Sequence, residues 1–338
     1  MSVDGISRVI VAHTEVAAGA DASTADVLEQ AALLAEGLRA LGVAFEIVPV
    51  PGGQPWRALA PAPGLVVCNL LEAPPGKPHL HAAATGALEL LGLPFTGSAT
   101  GPLWLTTDKI ATRALLAVHG LPVAAGGPLD SADSRVLDVV PPPWILKPAW
   151  EDASVGLEGA PVCAIREQAL ARAALLGQRF PGQPILVEHF LPGRELNVSL
   201  LEQDGQLAVL PISEIAFVDF PPDVPALVTY EAKWDTGSFA DTHTVRRFPG
   251  PQDEALLARV RPIARRAGEV CGVAGYARVD LRLDERGEPC ILEVNTNPCL
   301  SADAGFMAAA RQAGLAPADV VRRLLEAALR LHRKGEPQ

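Results

Sequence analysis

Residues 275–298 read GYARVDLRLDERGEPCILEVNTNP and are the most informative part of the sequence. Two apolar segments flank the turn formers at 284–287, which is the pattern of a β-hairpin. Asp280 lies on the first strand and Glu293 on the second, and Asn295 shares a face with Glu293 because side chains alternate along a strand. Carboxylate and amide oxygens suit Mg²⁺. The hairpin therefore predicts a metal site formed by these three side chains.

The alternative for the same stretch is a solvated hairpin that carries ordinary surface acids. For one acid alone that alternative is the stronger one. Three oxygen-bearing side chains beside Arg278, followed by an Asn-Pro pair, favour the metal site.

The first hundred residues alternate between strand and helix patterns. Strands are predicted at 8–12, 45–48 and 64–70, and helices at 25–41 and 81–91. This order is typical of a parallel, Rossmann-like sheet. The first strand is followed by His-Thr-Glu at 13–15 in place of GxGxxG, which argues against an NAD enzyme.

The rest of the chain mixes both kinds of element and predicts antiparallel sheets covered by helices. Helices are predicted at 108–119, 166–176, 254–271 and 318–331, and strands at 144–147, 185–190, 195–202, 207–211, 278–283 and 290–294. Residues 128–143 are predicted to be a connection, and the charged end after 331 is predicted to fray. We predict three domains, at 1–103, 104–187 and 188–338.

Composition excludes several classes of protein. The 338 residues, 49% of them hydrophobic, suffice for full cores, and a net charge of −11 opposes nucleic acid as a partner. We expect no signal peptide and no membrane span, since the apolar runs are short. Five cysteines without metal-like spacing predict a soluble cytoplasmic protein.

Lysine is rare in this chain, because only five of the 28 basic residues are lysines. A lysine therefore marks a place where a compact ammonium is preferred to a planar guanidinium. The alternative for Lys109, Lys147 and Lys233 is an ordinary surface position.

Several ordered motifs resemble the ATP-grasp superfamily and, within it, the D-alanine:D-alanine ligase group. They are PFTGSATGPLWLTTDKIATRALLAVHGLPV (94–123), WILKPAWEDASVGL (144–157), ILVEHFLPGRELNVSLLE (185–202), TYEAKWD (229–235) and the hairpin stretch. The resemblance runs from about residue 66 to 315. It implies an α/β chain with an N-terminal Rossmann-like domain and two α+β domains that hold ATP between antiparallel sheets.

The resemblance also implies roles for individual residues. It assigns Lys109, Lys147 and Lys233 to the triphosphate, Glu188 to the adenine amino group, the backbone of Phe190 and Leu191 to the hinge, and Glu195 to the ribose. It assigns Asp280, Glu293 and Asn295 to two Mg²⁺ ions, with Mn²⁺ as an alternative. It assigns Arg278, with the Cys299 N–H as a second donor, to the developing oxyanion, and gives catalytic positions to Lys233, Ser154 and Glu15.

These parts imply an ATP-dependent ligase. A substrate carboxylate attacks the γ-phosphate, and an amine then attacks the acyl phosphate to form an amide. The substrates are small and amino-acid-like, and a homodimer is a further implication of the resemblance. The loop 150–159 is predicted to be the lid that excludes water.

The chain departs from the ligase pattern at three places. The lid reads Asp-Ala-Ser-Val-Gly where the ligases have Gly-Ser-Ser-Val-Gly, and Ala304 aligns with a serine that helps grip the second D-alanine's carboxylate, with Ser301 as the only nearby substitute. Glu15 and Glu72 are both candidates for the first substrate's ammonium. We therefore expect an acceptor other than D-alanine. The alternatives are an authentic cell-wall ligase and a catalytically silent nucleotide-binding regulator.

Overall fold

A parallel sheet in the order β2-β1-β3 forms the N-terminal layer. The computed structural model describes residues 5–17, 19–20, 22–74, 76–129, 134–221 and 224–335. The layer consists of β1 (Arg8–Thr14), α1 (Ala22–Ala40), β2 (Phe45–Val50), β3 (Leu65–Leu70) and α2 (His81–Leu90). The strand–helix alternation predicted from hydrophobic periodicity is confirmed, with ends that differ by a few residues.

A pair of helices connects this layer to the rest of the chain. They are α3 (Thr100–Thr107), which was not predicted, and α4 (Lys109–Val118). The Asp108 carboxylate caps α4 by accepting from the N–H groups of Ile110 and Ala111, at 2.9 and 3.0 Å. The cap fixes Lys109 as the first residue of its helix.

The central sheet is antiparallel and has the order β4-β7-β5-β6. Its elements are β4 (Gly126–Leu129), α5 (Val136–Val139), β5 (Trp144–Pro148), β6 (Val162–Cys163), α6 (Arg166–Arg179) and β7 (Ile185–His189). The prediction that 128–143 is only a connection was wrong, because residues 128–129 belong to β4 and residues 136–139 form the short helix α5. Turn-forming residues hid both elements.

A second antiparallel sheet, in the order β11-β10-β8-β12-β13 with β9 paired to β8, carries most of the site. Its elements are β8 (Glu195–Gln203), β9 (Gln206–Val209), β10 (Ser213–Phe217), α7 (Tyr230–Trp234), α8 (Phe239–His243), β11 (Thr244–Arg247), α9 (Glu254–Val270), β12 (Tyr276–Leu283) and β13 (Pro289–Asn295). The predicted hairpin is confirmed as β12 and β13. Four of these elements, β10, α7, α8 and β11, lie where the sequence has no clear periodicity.

The last helices, α10 (Gly305–Gln312) and α11 (Pro317–Gly335), return to the N-terminal layer. Phe306, Leu324, Leu34 and Val66 are buried in one core, so the two ends of the chain pack together. Because α11 continues to Gly335, the predicted fraying after 331 was wrong for 332–335, and 336–338 lie outside the described residues. The three-domain division stays a prediction.

Within the described ranges, no helix combines the length and the apolar character needed to cross a bilayer.

Candidate active site

The site is centred on the paired strands of the β12–β13 hairpin. Asp280 is paired directly with Glu293, and Asn197 on β8 flanks Asp280 from the other side. The guanidinium of Arg278 donates to both Asp280 oxygens, with Nε and Nη2 each at 2.7 Å. Asn197 Nδ2 donates to the same carboxylate at 2.8 Å. This network fixes Asp280 and Arg278 relative to each other.

Glu293 lies between two cations. Its Oε1 is 3.7 Å from Arg278 Nη2, and its Oε2 is 4.0 Å from Lys109 Nζ. Burial opposes ionisation of this carboxylate, but the positive charges of Lys109, Arg278 and Lys233 outweigh it and lower the pKa of Glu293 to about 2. Glu293 is therefore an anion at neutral pH.

The donor set at this point fits a hard divalent cation. Among the described residues no cluster of three His, Cys, Asp or Glu side chains exists that would hold a metal alone. Mg²⁺ usually takes one or two protein carboxylates and completes its shell with water and phosphate, and Asp280 and Glu293 supply that number. Asn295 Oδ1 accepts from the Asn297 N–H at 2.8 Å, and no hydrogen bond between described residues joins Asn295 to either acid.

Lys109 is buried, with 7% of its side chain exposed, and points from α4 into the same site. Its ammonium is 3.0 Å from Asp152 Oδ1 and donates to the carbonyl of Glu151. Burial alone would lower the pKa of Lys109, yet the charges of Asp152 and Glu293 raise it above its usual value. The predicted phosphate ligand is thus a cation that the lid loop already contacts.

Lys147 on β5 and Glu188 on the neighbouring strand β7 form an ion pair. Lys147 Nζ is 2.7 Å from one Glu188 oxygen, and Arg113 Nε is 3.4 Å from the other. Glu188 is almost fully buried, so an unpaired charge there would be costly. The structure therefore joins the residue assigned to the phosphates and the residue assigned to adenine in one ion pair.

Arg282 is a site residue that the sequence interpretation missed. Its guanidinium lies over the Phe190 ring, 5.0 Å from the centroid, and its Nη1 is 3.5 Å from Glu195 Oε2. Burial raises the pKa of Glu195, and the positive charge of Arg282 acts in the opposite direction. The period-two pattern places Arg282 on the face of Asp280, and that was the available signal. Leu191 is buried beside Phe190.

Lys233 lies in the last turn of α7, and the residue is exposed. Desolvation of its ammonium and the charge of Arg278 lower the pKa of Lys233, and the charges of Glu293 and Asp280 act in the opposite direction. Within the described ranges no hydrogen bond or ion pair joins Lys233 to the hairpin acids, so its assignment to the triphosphate stays a prediction.

The predicted lid is an irregular loop after β5, held at both ends. Trp150 Nε1 donates to Asp108 Oδ2 at 3.1 Å, and the Gly156 carbonyl accepts from Arg172. Ala153 and Ser154 have left-handed backbone with φ of 54° and 65°, a conformation that costs energy for residues other than glycine. Ser154 is half-buried at the top of this turn.

The two candidates for a substrate ammonium differ in their surroundings. Glu15 is exposed after β1, whereas Glu72 is half-buried and its N–H donates to Thr14 Oγ1 at 2.8 Å. Burial, followed by the negative charges of Asp26 and Asp152, raises the pKa of Glu72 to about 7. A cationic group brought to this position would stabilise the ionised form.

The segment after β13 is hydrogen-bonded to helix α1. Cys299 Sγ donates to Asp26 Oδ2 at 2.9 Å and lies 2.7 Å from Ser301 Oγ. Ser301 is buried, with 4% exposed. The hydroxyl that the sequence offered as a substitute for the missing serine is therefore turned toward Cys299. The assignment of the Cys299 N–H to the oxyanion stays a prediction.

Comparison with known proteins accords with this geometry. Residues 129–326 match the family model described as D-ala D-ala ligase C-terminus. The chain is 38% identical over 234 residues to a D-alanine–D-alanine ligase of Gluconobacter oxydans, covering 69% of this chain and 70% of the relative. It is 35% identical over 240 residues to the same enzyme of Bordetella avium, covering 70% and 71%.

Solved structures show the same fold. A D-alanine–D-alanine ligase from Bacillus anthracis, complexed with ATP, superposes with a TM-score of 0.72 at 19% identity, over 97% of this chain and 99% of that one. The α/β ATP-grasp architecture expected from the sequence is confirmed. The chain belongs to the D-alanine–D-alanine ligase family of ATP-grasp proteins, and it is an ATP-dependent ligase that forms C–N bonds.

Proposed function

We propose that this protein joins two D-alanine molecules at the expense of ATP. The observation that carries the proposal is the cluster of Arg278, Asp280 and Glu293 on one hairpin, with the Lys109 ammonium facing it. The similarity to D-alanine–D-alanine ligases supports D-alanine as both donor and acceptor. We further propose that it works in a reducing cytoplasm, which the free thiols of its cysteines support.

Each charged residue of the site has its own role in the proposed reaction. Lys109, Lys147 and Lys233 neutralise the triphosphate while the first D-alanine carboxylate attacks the γ-phosphorus and ADP leaves. The amine of the second D-alanine then attacks the acyl phosphate carbonyl, and phosphate leaves as the amide forms. The guanidinium of Arg278 stabilises the oxyanion of that step.

Asp280 and Glu293, with Asn295 as a further oxygen donor, would hold the Mg²⁺ ions that accompany ATP. When bound, Mg²⁺ supplies charge neutralisation on the phosphate oxygens. The site requires one change before it can do so, because Arg278 now donates to both Asp280 oxygens. Glu293 is already ionised and within reach of both phosphate-binding and oxyanion-binding cations.

The expectation of a different acceptor finds no support in the relatives, which are D-alanine–D-alanine ligases. It came from Ala304, which stands where a serine is expected and caps α10 without a side-chain hydrogen bond. A different contact to the acceptor carboxylate does not require a different acceptor. We therefore favour the authentic ligase activity over the altered one.

The silent-regulator alternative is disfavoured by the same cluster. A protein that only binds nucleotide has no need for Arg278 held bidentately on the hairpin, because this group acts on the reacting carbonyl. Desolvating such a charged network is costly, so its retention argues for use.

The direct experiment measures ADP release and product mass with Mg-ATP and D-alanine. L-alanine, D-lactate and D-alaninamide replace D-alanine in parallel reactions. Dipeptide formation with D-alanine, and little with L-alanine, is the expected result. Tight Mg-ATP binding without ADP release on any substrate would instead favour the regulator.

A further inference from the structure

Arg246 and Arg247 are neighbours on β11 whose side chains lie on opposite faces of the sheet. Arg247 Nη2 pairs with Glu214 Oε1 at 2.9 Å on one face. Arg246 Nη1 donates to the carbonyl of Asp303 at 2.7 Å on the other face, beside the segment that follows β13. A Cβ placed on Gly305 would lie 3.8 Å from Arg246 Nε and 3.9 Å from its Nη2. The Nε–Nη2 edge of Arg246 therefore faces the start of α10.

Two guanidinium groups and one carboxylate act on Arg246. Burial, followed by repulsion from Arg278 and Arg311, lowers the pKa of Arg246, and Asp303 opposes this. Arg246 and Arg311 donate to main-chain carbonyls, and within the described residues neither forms an ion pair with a carboxylate. Guanidinium groups that no carboxylate pairs with directly form an arrangement that can receive an anion.

The register of the sheet places Arg246 on the face that carries the hairpin groups. Along one row of paired residues, Arg246 on β11 stands two strands from Glu195 on β8, and Glu195 pairs with Arg282 on β12. Since paired residues point to the same face and side chains alternate along a strand, Arg246 lies on the face of Arg278, whose charge acts on it. An anion bound at Arg246 would therefore lie on the face of the group assigned to the oxyanion.

We propose that Arg246 binds the carboxylate of the acceptor and is a specificity-determining residue of this ligase. The assignment rests on the proposed function, which requires an amine that attacks the acyl phosphate on this face of the sheet. The planar Nε–Nη2 edge suits a carboxylate bidentately. It also supplies the grip that Ala304 lacks and that the buried Ser301 hydroxyl does not offer. The acceptor class is therefore an amine that carries a carboxylate.

The test compares Arg246→Ala, Arg246→Lys and the matched control Arg247→Ala. Steady-state ADP release is measured against D-alanine, fitted with separate constants for donor and acceptor, and against Mg-ATP. The loss of a bidentate contact to a charged group should raise the acceptor KM roughly tenfold to 100-fold in Arg246→Ala and leave the KM for ATP unchanged. Arg246→Lys should recover part of the loss, and Arg247→Ala should keep both constants.

A second readout uses D-alaninamide, which lacks the carboxylate. The wild-type protein should strongly prefer D-alanine to this acceptor, and Arg246→Ala should lose most of that preference. An unchanged acceptor KM and an unchanged preference in Arg246→Ala would overturn the assignment while the proposed function stands. A wild-type protein that releases no ADP with D-alanine would defeat the proposed function and this assignment together. Thermal melts of each variant separate these results from misfolding.

Discussion

The Lys109 ammonium lies 3.0 Å from the Asp152 carboxylate, so the first residue of α4 is paired with the lid loop. Lys109 is buried and Asp152 is 45% exposed. The same ammonium also donates to the Glu151 carbonyl. The lid therefore occupies the cation that the proposed reaction assigns to the phosphates, and Asp152 must move before a phosphate can bind there.

Removing the charge of this lid residue should strengthen nucleotide binding. Asp152→Asn leaves the shape of the side chain unchanged but removes its competition with phosphate for Lys109. The Kd for Mg-ATP should fall about twofold to fivefold, as expected for a partly exposed ion pair. Isothermal titration measures the change.

The matched control is Asp138→Asn, which removes the same charge from an exposed pair with Arg166. It should leave the Kd unchanged. Weaker Mg-ATP binding by Asp152→Asn would mean that Asp152 belongs to the nucleotide site and does not compete with it.

The lid also depends on one glycine. Gly156 has φ of +85°, and a Cβ there would lie 2.5 Å from Pro148 Cδ, closer than any real contact. Gly156→Ala should destabilise the protein by about 1 to 3 kcal/mol beyond the backbone strain and should raise the KM for ATP. Thermal unfolding and ADP-release kinetics measure both effects.

Gly159→Ala provides the control for that variant. Gly159 also has a positive φ, of +70°, but nothing lies within 4 Å of the position that a Cβ would take there. Gly159→Ala should show the cost of the backbone strain without a steric clash. Equal losses in the two variants would refute the role given to packing against Pro148.

The pKa of Glu72 predicts a pH-dependent stability. The folded protein holds the Glu72 proton up to about pH 7, whereas an ordinary glutamate in the unfolded chain releases it near 4.5. Stability from this group is therefore present below 4.5 and is lost as the pH rises to 7. Glu72→Gln should be more stable than wild type by roughly 1 to 3 kcal/mol at pH 8 and similar to it at pH 4.5.

Urea unfolding at the two pH values, without substrate, measures this difference. Glu15→Gln removes an exposed acid near the same mouth and should follow the wild-type pH dependence. A stability difference between Glu72→Gln and wild type that does not change with pH would contradict the burial argument.

Much of the fold was predictable because hydrophobic periodicity reports burial directly. The hairpin that carries Asp280 and Glu293 on its two strands followed from strand alternation and one turn, which are local properties. The register shift between Asp280 and Leu281 that brings Glu293 opposite Asp280 was not predicted. The segment between β9 and α9 was not predictable, because its short helices and edge strands have no periodic pattern. Their positions depend on packing against distant residues.

The site was predictable in composition but only partly in its contacts. Single motifs could supply Lys109, Lys147 and the hairpin acids, yet they could not show that Lys147 pairs with Glu188 or that Asp152 pairs with Lys109. Contacts between segments far apart in the chain are set by the tertiary fold. The Cys299–Asp26 hydrogen bond, which spans 273 positions, is the clearest case.

In the proposed reaction the β12–β13 hairpin forms the catalytic centre, and the ionised Glu293 is essential to it. The most direct measurement is kcat for ADP release with D-alanine in Glu293→Gln, beside Glu288→Gln, which removes an exposed acid paired with Arg259 near the start of β13. Glu293→Gln should lose at least about 100-fold in kcat and should still unfold cooperatively, at a lower melting temperature because the ionised Glu293 stabilises the fold; Glu288→Gln should retain its activity. A kcat in Glu293→Gln equal to that of the control would contradict the account.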